Sequence, residues 1–223
     1  FLSIVSPAPL TTFLATSRNK DDMFEVPVRI IGAPGSGKTM LASLAEFRMV
    51  EMILKDETNP TNRTLADALA QAGFLQDGKP KVAAVRVPME SEYREFWELP
   101  YEPIVKTKLA FWLVQARAML GLIRNLTANG TRRIDAIVFI PRANHEAHLE
   151  QIGGLSAVGI RDRALAVQRA IYKVGAGLRA PKLESLPIDA TAPYAPFDAI
   201  SRIRIDWMGE TIEMSPLVML DDV

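Results

Sequence analysis

The sequence predicts an α/β fold, a central and mainly parallel sheet flanked by helices, and three features predict it. Short apolar runs at Val28 to Ile31, Lys81 to Val87, Ile134 to Ile140 and Leu217 to Leu220 alternate with longer helical stretches. The first three runs stop on a glycine or a proline, namely Gly32, Pro88 and Pro141. The first run opens into a glycine-rich turn and then a helix, while the last closes on two acids, Asp221 and Asp222.

The turn is Gly32-Ala33-Pro34-Gly35-Ser36-Gly37-Lys38-Thr39, which fits G-x-x-x-x-G-K-[ST] at every fixed position. Gly32, Gly35 and Gly37 can take positive φ and put no side chain in the way, so successive backbone N–H groups converge on one anion. The helix that opens near Lys38 adds unpaired N–H groups and the positive end of its dipole. Phosphate binding is therefore expected along Gly32, Ala33, Pro34, Gly35, Ser36, Gly37, Lys38, Thr39 and Met40. Lys38 reaches the terminal phosphates as a catalytic cation, and the Thr39 hydroxyl holds Mg²⁺. A glycine-rich turn that binds nothing would not need the strand before it and the helix after it.

Composition removes several classes. The 223 residues are 48% hydrophobic, enough for a substantial core in one domain with an insertion. There is no cysteine, which excludes disulfides and thiolate chemistry and agrees with a cytoplasmic setting. Lys+Arg and Asp+Glu balance at 26 each, so no global field draws the chain to nucleic acid or to an anionic membrane. Phe1 to Leu14 lacks a basic start and is broken by Pro7 and Pro9, unlike a signal peptide. Leu109 to Ile123 carries Gln115 and Arg117 and is too short to span a bilayer.

In chain order, Phe1 to Phe24 is a lead-in with one short helix around Thr11 to Thr16. Val28 to Ile31 is the first strand, apolar on both faces as a central parallel strand requires. One helix runs from Lys38 to about Lys55, with Leu41, Leu44, Ala45 and Phe47 inward, and Glu57-Thr58-Asn59-Pro60 stops it. A second helix, Thr64 to Ala72, is closed by Gly73. After the strand at Lys81 to Val87, Met89 to Trp97 mixes charge and aromatics, the pattern of a solvated helix whose rings pack down or of an interaction surface. Ile104 to Leu126 is the longest helix, buried on more than one side, and Asn129-Gly130 breaks it.

His145 and His148 follow the third strand, but they stand three apart where H-E-x-x-H needs four, so they predict no metal site. Gly153-Gly154 is a turn. The helix Ile160 to Arg179 carries Arg161, Arg163, Arg169, Lys173 and Arg179. Such a row can grip nucleic-acid phosphates, although a solvated face is the commoner use. Ala180 to Phe197 holds four prolines and reads as a surface excursion or an ordered loop. Ile200 to Trp207 alternates as a half-buried strand near a sheet edge, paired through Met208-Gly209-Glu210 with Thr211 to Met214.

Leu217-Val218-Met219-Leu220-Asp221-Asp222 is a buried strand that delivers carboxylates to its C-terminal end, where ligands collect in open α/β sheets. Asp221 is the expected Mg²⁺ partner of Thr39, and Asp222 the expected catalytic carboxylate that orients attacking water.

G-A-P-G-S-G-K-T and L-V-M-L-D-D-V together resemble the Walker A and Walker B motifs of P-loop NTPases of the AAA+ and STAND type. Within these the chain resembles origin-recognition-type initiator ATPases and their bacterial relatives, anti-phage defence proteins among them, and its D-D-V ending is also similar to the NB-ARC branch. The specific likeness covers about twenty residues. It implies ATP and Mg²⁺ at Gly35, Gly37, Lys38, Thr39 and Asp221; Asp222 stands where many AAA+ members have glutamate. Roughly 180 residues separate Lys38 from Asp221, far more than neighbouring strands need, which implies a helical insertion over about 89–197. The same spacing leaves an SMC or ABC-type ATPase as the alternative. Those carry a signature such as L-S-G-G-Q before Walker B, and Ile152-Gly153-Gly154-Leu155-Ser156 is a poor, misplaced imitation of it.

The resemblance implies an oligomeric ATPase that switches an assembly acting on DNA or on a protein partner. A scaffold that binds ATP and scarcely turns it over is the other reading. The start at Phe1 and the stop just after the acidic pair are those expected of a piece of a longer ATPase.

Overall fold

Strands β3 (Val82–Pro88) and β6 (Glu210–Asp221) run side by side and parallel, in register from Val82 opposite Ser215 to Pro88 opposite Asp221. This pair is one side of a four-stranded sheet in the computed structural model, which describes residues 24, 27, 29–31, 33, 35–89, 98–128, 132–145, 148–175 and 194–221. The sheet order is β3-β6-β5-β4, where β4 is Val138–Pro141 and β5 is Ile200–Trp207. The other two contacts, β6 with β5 and β5 with β4, are antiparallel. The fold is therefore α/β as expected, but among the described strands the sheet is mixed rather than mainly parallel. β5 is an inner strand, not an edge, because β4 pairs with its far side.

The antiparallel part follows from the tight turn at Met208 and Gly209. Both take positive φ, 51° and 85°, the geometry whose twist suits a two-residue hairpin. The ladder then runs from Trp207 opposite Glu210 to Ile203 opposite Met214. Two segments expected separately, Thr211 to Met214 and Leu217 to Leu220, are one strand that changes partner midway. Pro216 marks the change, since it has no N–H to continue the ladder toward β5. Beyond it only β3 pairs with β6 among the described residues. Leu217, Val218 and Met219 are accordingly half-buried rather than buried, and Leu220 is 49% exposed.

The helices are α1 (Lys38–Ala45), α2 (Phe47–Lys55), α3 (Pro60–Gln71), α4 (Pro103–Thr127), α5 (Leu149–Ile152), α6 (Ala157–Gly175) and α7 (Pro196–Ala199). A small hairpin of β1 (Leu75–Gln76) and β2 (Lys79–Pro80) follows α3. The single helix expected from Lys38 to Lys55 is two, because Glu46 leaves the helical region with ψ of 136°. Asn59-Pro60 does more than stop α2: the Asn59 side chain accepts from Thr61 N at 2.9 Å and Pro60 takes the first helical position, so α3 starts four residues earlier than expected. Likewise Gly159 N donates to Ser156 Oγ at 3.0 Å, and α6 starts at Ala157. Of the third apolar run, Ile134–Ala136 forms a 3₁₀ turn and only Val138 onward is strand.

The long helix α4 is buried on two sides, as its composition requires. It packs on β3 and on α6, burying Leu109, Trp112, Leu113, Met119 and Leu122. Gly121 lets α4 come close, since a Cβ there would stand 2.9 Å from Val85 Cγ2. Among the described residues no helix is long and apolar enough to cross a membrane. The lead-in helix near Thr11, most of the aromatic segment before α4, Asn129-Gly130 and the proline-rich stretch up to 193 lie outside the described residues.

One expectation fails outright. Of Val28 to Ile31, residues 29–31 form no strand, and Ile31 is 83% exposed; Val28 lies outside the described residues. An apolar run becomes a strand only where another strand takes up its N–H and C=O groups, and no described strand lies alongside.

The contact at Gly121 gives a test of the packing. Gly121→Leu should destabilise the protein by about 1–3 kcal/mol in chemical denaturation, the usual cost of overpacking. Val85→Ala in the same chain should recover part of that loss. Simple additivity of the two changes would show that α4 does not press on β3 at this point.

Candidate functional site

The site is assembled from both ends of the sequence. Ser36 N donates to Ala33 O at 3.1 Å, closing a turn that leads into Gly37. Gly35 and Gly37 have φ of 79° and 86°, the left-handed region that favours glycine, and a Cβ at Gly35 would stand in open space. Gly37 is the N-cap of α1 and offers no side-chain bond, which leaves the first N–H groups of the helix uncapped by it. Lys38 Nζ folds back and donates to Ala33 O at 3.2 Å, arching over the loop that precedes it.

The second half arrives on β6. Its last paired residue, Asp221, is held between Pro88 across the ladder and Met89, whose N–H donates to Asp221 O at 2.8 Å. The Asp221 side chain is only 6% exposed. Thr39 Oγ1 donates to Asp221 Oδ1 at 3.2 Å, a contact between residues 182 apart in sequence. The sequence leads to the expectation that these two residues share a site, and the structure joins them by a hydrogen bond. It does so without the strand expected at Val28 to Ile31, because α1 packs against both β3 and β6.

Four participants carry no sequence motif: Arg86, Glu46, Asn125 and Arg48. Arg86 lies on β3 opposite Met219, and its side chain runs up the same face of the ladder. There Nη1 donates to Asp221 Oδ2 at 2.9 Å and Nε donates to Glu46 Oε1 at 3.3 Å. Glu46, at the break between α1 and α2, is 5% exposed and also accepts from Asn125 Nδ2 at 3.2 Å, while Arg48 Nε stands 3.2 Å away. Partial burial works against the Arg86 charge, but the hydrogen bonds and negative fields of Asp221 and Glu46 prevail and raise its pKa. A signal existed: Arg86 is the lone charge in Val82-Ala83-Ala84-Val85-Arg86-Val87, and an ion in a buried run needs a partner.

Among the described residues no three His, Cys, Asp or Glu side chains gather as a metal cluster. The carboxylate of Asp221 and the hydroxyl of Thr39 could together hold only a cation that takes its remaining oxygens from other groups, such as phosphates and water. Met40 is half-buried in the first turn of α1, beside Gly37. Gly32, Pro34 and Asp222 lie outside the described residues. The basic row on α6 is divided: Arg163 Nε donates to Gln151 O at 2.8 Å, Arg161 pairs with its neighbour Asp162, and Arg169 and Lys173 are exposed. His145 and His148 face each other at 5.8 Å between ring centroids.

Comparison with protein-family models, with curated proteins and with solved structures gives no match.

The partners of Glu46 predict unequal costs. Glu46→Ala leaves Asn125 Nδ2 without that acceptor in the interior and Arg86 with Asp221 alone, so it should lower stability by about 1–3 kcal/mol. Arg48→Ala removes a half-exposed ion pair and should cost about 0.5 kcal/mol or less. Equal losses in urea unfolding would show that the Glu46 cluster is not a buried network.

Proposed function

We propose that the chain is an ATP-binding and ATP-hydrolysing module, of the P-loop type that AAA+ and STAND ATPases share, which uses Mg²⁺. The observation that carries this reading is the 3.2 Å hydrogen bond from Thr39 to Asp221. It joins the residue that closes the glycine-rich motif to the acid that closes the last apolar run. A turn that bound nothing would have no need of a buried carboxylate at that hydroxyl.

The chemistry assigned to each residue follows from its place. The N–H groups of Gly35 and Gly37 and of the first turn of α1 donate to phosphate oxygens. Lys38 leaves the Ala33 carbonyl and neutralises the terminal phosphates, and its stem is long enough to reach over the loop. Thr39, through its hydroxyl, and Asp221, through its carboxylate, would hold Mg²⁺. Bound there, the metal would supply charge neutralisation on the phosphate oxygens. Asp222, next in sequence, positions the attacking water. In this reading the nucleotide switches or powers an oligomeric assembly acting on DNA or on a protein, and the exposed cations Arg169 and Lys173 are where a phosphate backbone would meet α6.

Lys38→Ala should abolish tight ATP binding and leave folding intact, because the loop loses the cation facing the terminal phosphates. Unchanged ATP affinity by calorimetry would remove the phosphate loop from the account. Asp222→Asn should bind ATP as the wild type does while cleaving it slower by about 10²-fold or more, the scale of a lost catalytic base. Binding with no turnover in either protein would favour the scaffold reading.

A further inference from the structure

The two oxygens of Asp221 have different partners. Oδ1 accepts from Thr39, on the phosphate-loop side, and Oδ2 accepts from Arg86 Nη1. With its side chain only 6% exposed, the carboxylate meets little water, and a positive charge already sits on it. A divalent cation drawn to Asp221 from the Thr39 side therefore has to share the carboxylate with a guanidinium already bound to its other oxygen. Arg86 also has a second anion within reach, since its Nε already bonds Glu46 Oε1 at 3.3 Å. Glu46 is anchored independently by Asn125 and Arg48, so it can take the guanidinium without itself moving.

We propose that Arg86 is the resident counter-cation of Asp221 and gates metal entry: Mg²⁺ binding with nucleotide draws Asp221 away from Arg86, which then rests on Glu46 alone. The inference rests on reading Thr39 and Asp221 as the metal side of a nucleotide site. Three features of the molecule support it. Arg86 bridges both acids, so the separation leaves it with one of its two hydrogen bonds, the one to Glu46. Arginine suits the task, since its planar fork serves two carboxylates at once and it stays charged at any working pH. Both anions lie at the ends of α1: Thr39, tied to Asp221, is in its first turn, and Glu46 is its C-cap. Moving Arg86 from one to the other shifts charge from the nucleotide end of α1 to the break between α1 and α2. Metal loading is thereby sensed at α2, a helix that does not touch the phosphate loop in sequence.

The test uses the purified protein, ADP, and Mn²⁺ as a probe read by electron paramagnetic resonance, with ADP affinity in EDTA measured alongside. Arg86→Gln should lower the Mn²⁺ concentration for half-saturation by about fivefold or more, a coupling of ordinary size between two sites, and leave the metal-free ADP affinity within about twofold of wild type. Arg86→Lys, which keeps a cation on Asp221, should stay near the wild-type metal requirement. An unchanged or higher requirement in a folded Arg86→Gln protein would overturn the gate and make Arg86 a positioning residue for Asp221. Should Arg86→Gln fail to fold, Glu46→Gln decides: it weakens the second acceptor and should raise the Mn²⁺ requirement, and no change would refute the proposal. Loss of the underlying reading looks different, for then wild type shows no ADP-dependent Mn²⁺ binding or Lys38→Ala binds ADP equally well, and the gate falls with it.

Discussion

The parallel pairing of β3 with β6 is the constraint on which the rest depends. It joins segments more than a hundred residues apart, and closing so long a loop costs conformational entropy before any contact repays it. The repayment is a seven-residue register in which Val82 to Val85 are fully buried, with α4 packed on β3 through the gap left by Gly121. Once Pro88 stands opposite Asp221, the end of β6 is fixed in height against β3. Arg86 can then reach Asp221, and α1, resting on both strands, brings Thr39 to the same carboxylate.

Buried charge makes that arrangement specific. Glu46 and Asp221 are both nearly enclosed, and each would be costly without partners. Arg86 serves both, Asn125 and Arg48 complete Glu46, and Thr39 completes Asp221. A third buried acid, Glu51, is held in the same way by Arg132 and Lys55. The interruption at Glu46 belongs to this economy of charge. A continuous helix from Lys38 to Lys55 would hold Glu46 at helical φ and ψ, whereas here it leaves them with its side chain turned onto Arg86 and Asn125.

What the sequence made legible is local chemistry. The glycine-rich turn, the uncapped start of α1, the acid at the end of an apolar run and the length of α4 all follow from residue types at short spacing. Asn59-Pro60 reads as a stop although it also starts α3, since a cap serves whichever helix follows it. What stayed hidden is pairing. Val28 to Ile31 and Leu217 to Leu220 look alike as apolar runs, yet residues 29–31 have no described strand beside them and β6 has β3. The continuity of β6 through Pro216 was equally illegible, because a proline reads as a break until one sees that its missing N–H points where no ladder continues. Arg86 was visible as a lone charge among buried valines, but its partners lie 40 and 135 residues away. No spacing rule reaches that far.

The central claim is that Thr39 and Asp221 act as one metal-binding unit for a bound nucleotide. A double-mutant cycle on Mg²⁺-dependent ATP affinity, with Thr39→Val, Asp221→Asn and the pair, tests it most directly. The account predicts that either change alone removes most of the Mg²⁺ contribution and that the second adds little, a coupling of about 1–3 kcal/mol. Additive losses, or a Mg²⁺ contribution that survives both changes, would contradict it.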